Sequence, residues 1–103
     1  MINAAEANRA TNDEKMKALH DAWDWVRTQF PKIEKEIKKA IENGQFHTSC
    51  TWYQETFFDL GFSQFDAAEA MNLLTYDYGY KVFAIPYASA AMELIVYINW
   101  KEA

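Results

Sequence analysis

The chain has few residues able to do nucleophilic chemistry, and their spacing argues against a catalytic pair. His47 and Cys50 lie three residues apart in a segment that alternates like a β-strand, so their side chains point to opposite faces. A thiol becomes a useful nucleophile when a base or a positive charge lies beside it. We therefore predict that Cys50 is a small buried hydrophobic residue, and we assign no catalytic residue.

The histidines and carboxylates show no metal-binding pattern in the sequence. His20 and His47 are far apart, and a single cysteine gives no pair of thiolate ligands. Asp21 and Asp24 share one helix face, but a solvated face explains them better than an acid–base pair, because catalysis needs a shifted pKa. We expect His20 at the surface or at an interface, and neither a metal nor a cofactor.

Aromatic side chains are the better candidates for binding, because they crowd one acidic stretch of the chain. Residues 52–103 carry two lysines against seven acidic residues. Most of these rings should pack in the core, yet tyrosine hydroxyl groups need water or a partner, and tyrosine is enriched at binding hot spots. We predict a partner or ligand surface, with a protein partner favoured, at Tyr53, Tyr76, Tyr78 and Tyr87.

The composition fits one folded domain over residues 1–103. Half of the residues are apolar, which supports a core without disulfides. The net charge of −5 disfavours direct nucleic-acid binding, since phosphate contacts need a basic surface. The apolar runs are too short to cross a bilayer, no signal-peptide pattern is present, and the lone cysteine fits a reducing compartment. We expect a cytoplasmic protein with no membrane partner.

A long helix is the first element that must position these residues. Between Met16 and Ala40 the apolar residues recur at spacings of three and four, which is typical of a helix that buries one stripe. The stripe keeps its phase across Pro31, so we predict one long kinked helix over residues 1–43. Two helices, with Pro31 at the start of the second, remain the alternative.

The rest of the chain predicts strands around a second helix. Residues 46–52, 80–87 and 92–100 have strand-like patterns, and a helix with the capping pair Ser63 and Asp66 runs to Gly79. The order α-β-α-β-β predicts an α+β domain with a three-stranded sheet that the long helix covers on one face. The last strand carries Met92, Leu94, Val96, Ile98 and Trp100 on one face and Ile95 and Tyr97 on the other. Apolar residues on both faces indicate a second protomer on the far side.

The length of the first helix also indicates association. A helix of about forty residues spans roughly 60 Å, whereas short strands reach about 20 Å. Part of the apolar stripe should therefore meet another chain, unless the helix breaks at Pro31 and both halves fold onto one sheet. We predict a homo-oligomer whose interface residues are Met16, Leu19, Trp23, Val26, Phe30, Ile33 and Ile37.

Four short motifs together resemble a known family. They are residues 1–7, the helix end over residues 33–44, the strand entry Gly79-Tyr80-Lys81-Val82, and Ile98-Asn99-Trp100. The set resembles small α-β-α-β-β accessory proteins of tailed bacteriophages. The resemblance implies a protein of the host-cell cytoplasm that binds and inhibits a host factor or a defence system, and it supplies no catalytic residues.

We therefore expect a non-enzymatic interaction protein that acts as a homo-oligomer and binds a host protein. The alternative is a module that binds or sequesters a nucleotide-like small molecule.

Overall fold

Helices and strands follow one another in a computed structural model that describes residues 1–87 and 93–103. The elements are α1 (Ala4–Thr28), α2 (Phe30–Glu42), β1 (His47–Trp52), a 3-10 turn (Gln54–Phe57), α3 (Gln64–Met71), α4 (Leu73–Tyr78), β2 (Lys81–Pro86) and β3 (Leu94–Asn99). This order confirms the predicted α+β class, with a long first helix and a three-stranded sheet. Met92, the predicted start of the last strand, lies outside the described residues.

The predicted helix over residues 1–43 is divided at Gln29. Pro31 has no amide hydrogen, and its ring crowds the carbonyl group four residues earlier in a continuous helix. The Gln29 amide donates to the Val26 carbonyl at 2.9 Å, and Pro31 falls in the first turn of α2, where a missing amide does no harm. Residues 1–43 thus form two helices, which is the alternative that the sequence left open.

A hydrogen bond ties this break to the sheet. The indole N–H of Trp52 donates to the side-chain oxygen of Gln29 at 2.9 Å. On the neighbouring turn, the Lys32 ammonium group donates to the Thr51 carbonyl at 2.7 Å and lies 4.4 Å from the centre of the Trp52 ring. The end of β1 therefore fixes the start of α2.

The predicted caps of the second helix are present. Ser63 and Asp66 form a reciprocal capping box, in which each side chain accepts from the other residue's backbone N–H. The helix is interrupted at Asn72 between α3 and α4, and it ends at Gly79, whose φ of 78° is the left-handed conformation that glycine adopts without strain. These local signals were readable because they involve only neighbouring residues.

The sheet is antiparallel throughout, with strand order β1-β3-β2. Its register aligns His47, Asn99 and Lys81 at one end and Trp52, Leu94 and Pro86 at the other. Alternate residues point to opposite faces. The face that packs against the helices, here the inner face, carries Thr48, Cys50, Trp52, Val82, Ala84, Pro86, Leu94, Val96 and Ile98. The opposite face, here the open face, carries His47, Ser49, Thr51, Lys81, Phe83, Ile85, Ile95, Tyr97 and Asn99.

The core lies between the helices and the inner face. Leu94, Val96 and Ile98 are fully buried there, as the alternation of the last strand predicted. Trp25 of α1 forms the centre of an aromatic group, with its ring centre 5.7 Å from Trp52 and 5.4 Å from Phe57. α1 packs on α3 while α2 packs on β1, so both helices formed by residues 1–43 contribute to one core.

The first half of α1 extends beyond this core. Every residue from 1 to 17 is exposed, and the longest dimension of the molecule is 60 Å. The buried part of α1 begins near Ala18 and includes Ala22, Trp25 and Val26.

Candidate functional site

Most residues of the predicted interface stripe pack within the chain's own core. Val26, Ile33 and Ile37 are buried in the core, so they offer little surface to a second chain, and this corrects their predicted role. The break at Gln29 is the physical reason, because it lets α1 and α2 fold onto the same domain. Leu19, Trp23 and Phe30 are half-buried against the core, whereas Met16 is exposed.

The four predicted binding tyrosines lie in two places. Tyr53 directly follows β1 and Tyr87 directly follows β2, and the Tyr87 amide donates to the Glu93 carbonyl at 2.8 Å. These two residues therefore flank the start of β3. Tyr76 and Tyr78 lie on α4, on the other side of the sheet. All four side chains are between 41% and 84% exposed, so each keeps surface for a partner.

An aromatic and aliphatic cluster occupies the centre of the open face. Phe83 and Tyr97 are direct cross-strand neighbours, with 66% and 45% of their surfaces exposed. Ile85 and Ile95 form the next cross-strand pair and are partly exposed. Within the described residues the helices pack on the inner face, which leaves this cluster facing solvent.

Sequence reasoning found half of this cluster. The alternation of the last strand placed Ile95 and Tyr97 on the far face, but Phe83 and Ile85 were not assigned to a face. The missing information was the register between β2 and β3, which pairs Phe83 with Tyr97 and Ile85 with Ile95, ten or more positions apart. The alternation Lys81, Phe83, Ile85 was the available signal.

The cluster and its two flanking tyrosines expose aromatic surface on one side of the sheet. If each aromatic side chain presents about 200 Å², then Tyr53, Phe83, Tyr87 and Tyr97, each about half exposed, leave roughly 400 Å² of ring surface in solvent. The largest apolar patch on a monomeric protein typically measures about 300–600 Å² and is often functional. The open face is therefore the main candidate interaction surface.

The two ends of the open face differ in charge. The row His47, Asn99 and Lys81 closes one end, and the Lys81 ammonium group lies 2.7 Å from Oε2 of Glu102. That contact lowers the pKa of the Glu102 carboxyl group, chiefly through the hydrogen bond from Lys81. Glu93 marks the opposite end, next to Tyr87. Lys81 is the lysine of the open face, so its end is here called the basic end, although Glu102 offsets that charge. The end beside Glu93 is called the acidic end, and the apolar cluster lies between the two.

Cys50 and His47 lie on different faces of the sheet. Cys50 is buried on the inner face, where burial raises the pKa of its thiol to about 11, with a further contribution from the charge of Glu36. His47 is exposed on the open face. The thiol is therefore protonated at neutral pH and has no histidine beside it, which is the arrangement expected of a structural cysteine.

A small group of possible metal ligands lies on α1. Nδ1 of His20 is 3.5 Å from Oδ2 of Asp24 and 3.8 Å from Oδ1 of Asp21. Within the described residues this is the group of histidine, cysteine and acidic side chains close enough to share an ion. Its side chains project into solvent from one helix face, and exposed acidic groups of this kind commonly occur without a metal.

No described helix combines the length and the apolar character needed to cross a membrane. The chain matches no protein-family model, no curated protein and no solved structure in the comparisons made. The resemblance to phage accessory proteins therefore stays a prediction.

Proposed function

We propose that this chain is a non-enzymatic interaction module that forms a homo-oligomer through its open face. The observation that carries the proposal is the exposed Phe83–Tyr97 pair at the centre of the sheet face that the described helices leave uncovered. Burying such rings between two copies removes apolar surface from water, which is the main driving force of protein association.

Charge complementarity supports a second copy as the occupant. When two open faces stack about a twofold axis that crosses the strands, the basic end of each copy lies over the acidic end of the other. Lys81 of one copy then approaches Glu93 of its partner, while Phe83 and Tyr97 lie over the partner's isoleucine row. Paired sheets of this kind pack about 10 Å apart.

The size of the open face also suits a dimer. A stable complex buries about 800 Å² on each partner, and the four exposed rings supply roughly half of that area. Ile85, Ile95 and the polar rows at the two ends supply the remainder. The surface is amphipathic, with aromatic residues at its centre and charges at its rim, as is typical of interfaces.

A host protein is the further partner implied by the resemblance to phage accessory proteins. The exposed first half of α1, including Met16, and Tyr76 on α4 lie away from the open face and would remain accessible in a dimer. The proposal of a non-enzymatic role is supported by the separation of Cys50 from His47 across the sheet.

Sedimentation equilibrium of three proteins tests the proposed association. The unmodified chain should sediment as a dimer or larger assembly at high micromolar concentration. Phe83→Ser should weaken association roughly 30-fold or more, because loss of a hot-spot ring costs about 2 kcal/mol or more. Tyr76→Ser removes an exposed ring from α4 and should leave the mass unchanged. A strictly monomeric parent, or an unchanged mass for Phe83→Ser, would overturn the proposal.

A charge exchange tests the antiparallel arrangement of the two copies. Lys81→Glu and Glu93→Lys should each weaken association, because each places like charges at both ends of the interface. The double variant should restore it. Failure of the double variant to recover association contradicts this arrangement of the faces. Glu102→Gln is the control, since it removes the intrachain partner of Lys81 without altering the proposed contact.

A further inference from the structure

An apolar crevice lies between α2, α4 and the inner face, away from the open face. Its floor is made of buried aliphatic side chains, and its walls are aromatic. The floor residues are Ile33, Ile37, Leu74 and Ile98, and the walls are Phe30, Tyr78 and Tyr80. The space is about 80 Å³, and it opens to solvent beside Glu34.

The rings around this crevice stand at right angles to their neighbours. Phe30 and Tyr78 have ring centres 5.5 Å apart and planes inclined at 88°. Tyr80 and Trp100 are 6.2 Å apart at 85°, and they continue the wall into an adjoining hollow lined by Ile37. In each of these pairs one ring turns its edge to the face of the other, and ring faces carry negative electrostatic potential.

Glu34 is the charged residue of the lining, and it is exposed to solvent. Lys35 and Lys38 line a separate hollow on the outward side of α2, where they share Glu34 as a neighbour. The crevice itself therefore combines an apolar floor, aromatic walls and one acidic group. That combination favours a cation whose charge is covered by apolar groups over an anion or a bare metal ion.

We propose that this crevice binds a methylated ammonium group, as found in choline or in a trimethylated lysine side chain. The methyl groups would contact the aliphatic floor while the positive charge faces the rings of Phe30, Tyr78 and Tyr80. Recognition of quaternary ammonium ions by aromatic side chains works in this way. The space suits one branched head group and is much smaller than the roughly 300 Å³ or more of sites for larger ligands. The small-molecule ligand of this site would therefore be a methylated ammonium compound and not a nucleotide.

Titrations with matched ligands test the role of the charge. Choline, trimethyllysine and tetramethylammonium chloride are compared with dimethylbutanol, the neutral carbon analogue of choline, at constant ionic strength. Methyl NMR signals of Ile37 and Leu74 report occupancy. The cations should produce saturable shifts with dissociation constants about tenfold lower than that of dimethylbutanol, or lower still, given the usual strength of a partly desolvated cation–π contact.

Comparison of choline with trimethyllysine separates the two sources of the head group. Tighter binding of choline indicates a free small molecule, and tighter binding of trimethyllysine indicates a modified side chain. Either result supports the site. Equal binding of dimethylbutanol and the cations would overturn the proposal, because it would show an apolar crevice without selectivity for charge.

Variants on α4 and α2 test the location of the site. Tyr78→Leu removes a wall whose ring is largely exposed, and it should abolish the saturable shifts. Phe65→Leu, which removes an exposed ring on α3 outside the crevice, should bind choline like the parent. Glu34→Gln should weaken cation binding and leave dimethylbutanol unaffected. Unchanged choline binding by Tyr78→Leu, in a protein with the parent's circular dichroism, would contradict the assignment.

Discussion

The two faces of the sheet are built from the same strands, yet they differ in what covers them. On β3 the residues Leu94, Val96 and Ile98 are buried by helices, while the intervening Ile95 and Tyr97 remain partly exposed. The inner face is mainly aliphatic, and the helices of the same chain pack on it. The open face combines rings with charged and polar ends, a composition suited to contact with another molecule. The apolar pattern of β3 thus marks both faces as hydrophobic, but only the packing of the helices shows which face belongs to the core.

Truncation of adjacent residues on β3 should separate the two faces most strongly. Leu94→Ala leaves a cavity in the core and should lower the free energy of unfolding by about 2–5 kcal/mol. Ile95→Ala, one position along the strand, should cost less than about 1 kcal/mol in dilute protein, since its side chain is partly exposed there. Urea denaturation at low protein concentration measures both. Equal losses would show that the open face is packed within the monomer.

Thiol labelling compares the two faces through the rate at which a cysteine on each face reacts with a thiol reagent. Cys50 should react with a thiol reagent about 100-fold or more slowly than an ordinary exposed cysteine near pH 8, because burial raises its thiol pKa to about 11. Ser49→Cys combined with Cys50→Ala places the thiol on the open face, where it should react at an ordinary rate. Dilution should accelerate labelling at position 49 if copies pair through that face. Similar rates at positions 49 and 50 would contradict the assignment of the faces.

The buried thiol also predicts a loss of stability at high pH. Its pKa in the folded protein lies above the ordinary value of 9.0, so the unfolded chain releases this proton first as the pH rises. The contribution is fully present below pH 9.0 and should be lost as the pH rises toward about 11. Urea denaturation of the parent and of Cys50→Ala, measured across this range, isolates the effect. A parallel decline in both proteins would show that Cys50 is not its source.

The smallest effect is expected at the basic end of the open face. Lys81 and Glu102 form an exposed ion pair, so Lys81→Ala should leave the unfolding transition nearly unchanged. The pKa of Glu102, which this contact lowers, should return to its ordinary value, as NMR titration of the carboxyl group can show. A persistently low Glu102 pKa would mean that another group holds this carboxylate. Little change in folding would indicate that Lys81 is free to serve an intermolecular contact.

Local patterns predicted the elements well. The capping pair Ser63 and Asp66, the helix end at Gly79 and the buried side of β3 were readable because each depends on neighbouring residues. The division at Gln29 was harder to predict, because the stripe keeps its phase through Pro31 whether or not the helix breaks. The choice depends on where the core lies, which is a tertiary property.

The two candidate sites required contacts between distant parts of the chain. Phe83 joins Tyr97 only through the register of β2 with β3, which sequence spacing does not reveal. The crevice is lined by residues of α2, α4 and the inner face, which meet only in the folded chain. The sequence therefore indicated Tyr78 as a binding residue, but not its contact with Phe30. Sequence therefore indicated the residue types, and the structure grouped them.

Dilution of protein labelled at the isoleucine methyl groups tests the central claim most directly, because isoleucines lie on both faces. If copies pair through the open face, the methyl signals of Ile85 and Ile95 should shift between high and low micromolar concentration. Those of Ile33 and Ile98, which lie in the core, should stay constant. Constant signals at Ile85 and Ile95 up to the highest concentration, or shifts confined to the stripe around Ile33, would contradict association through this face.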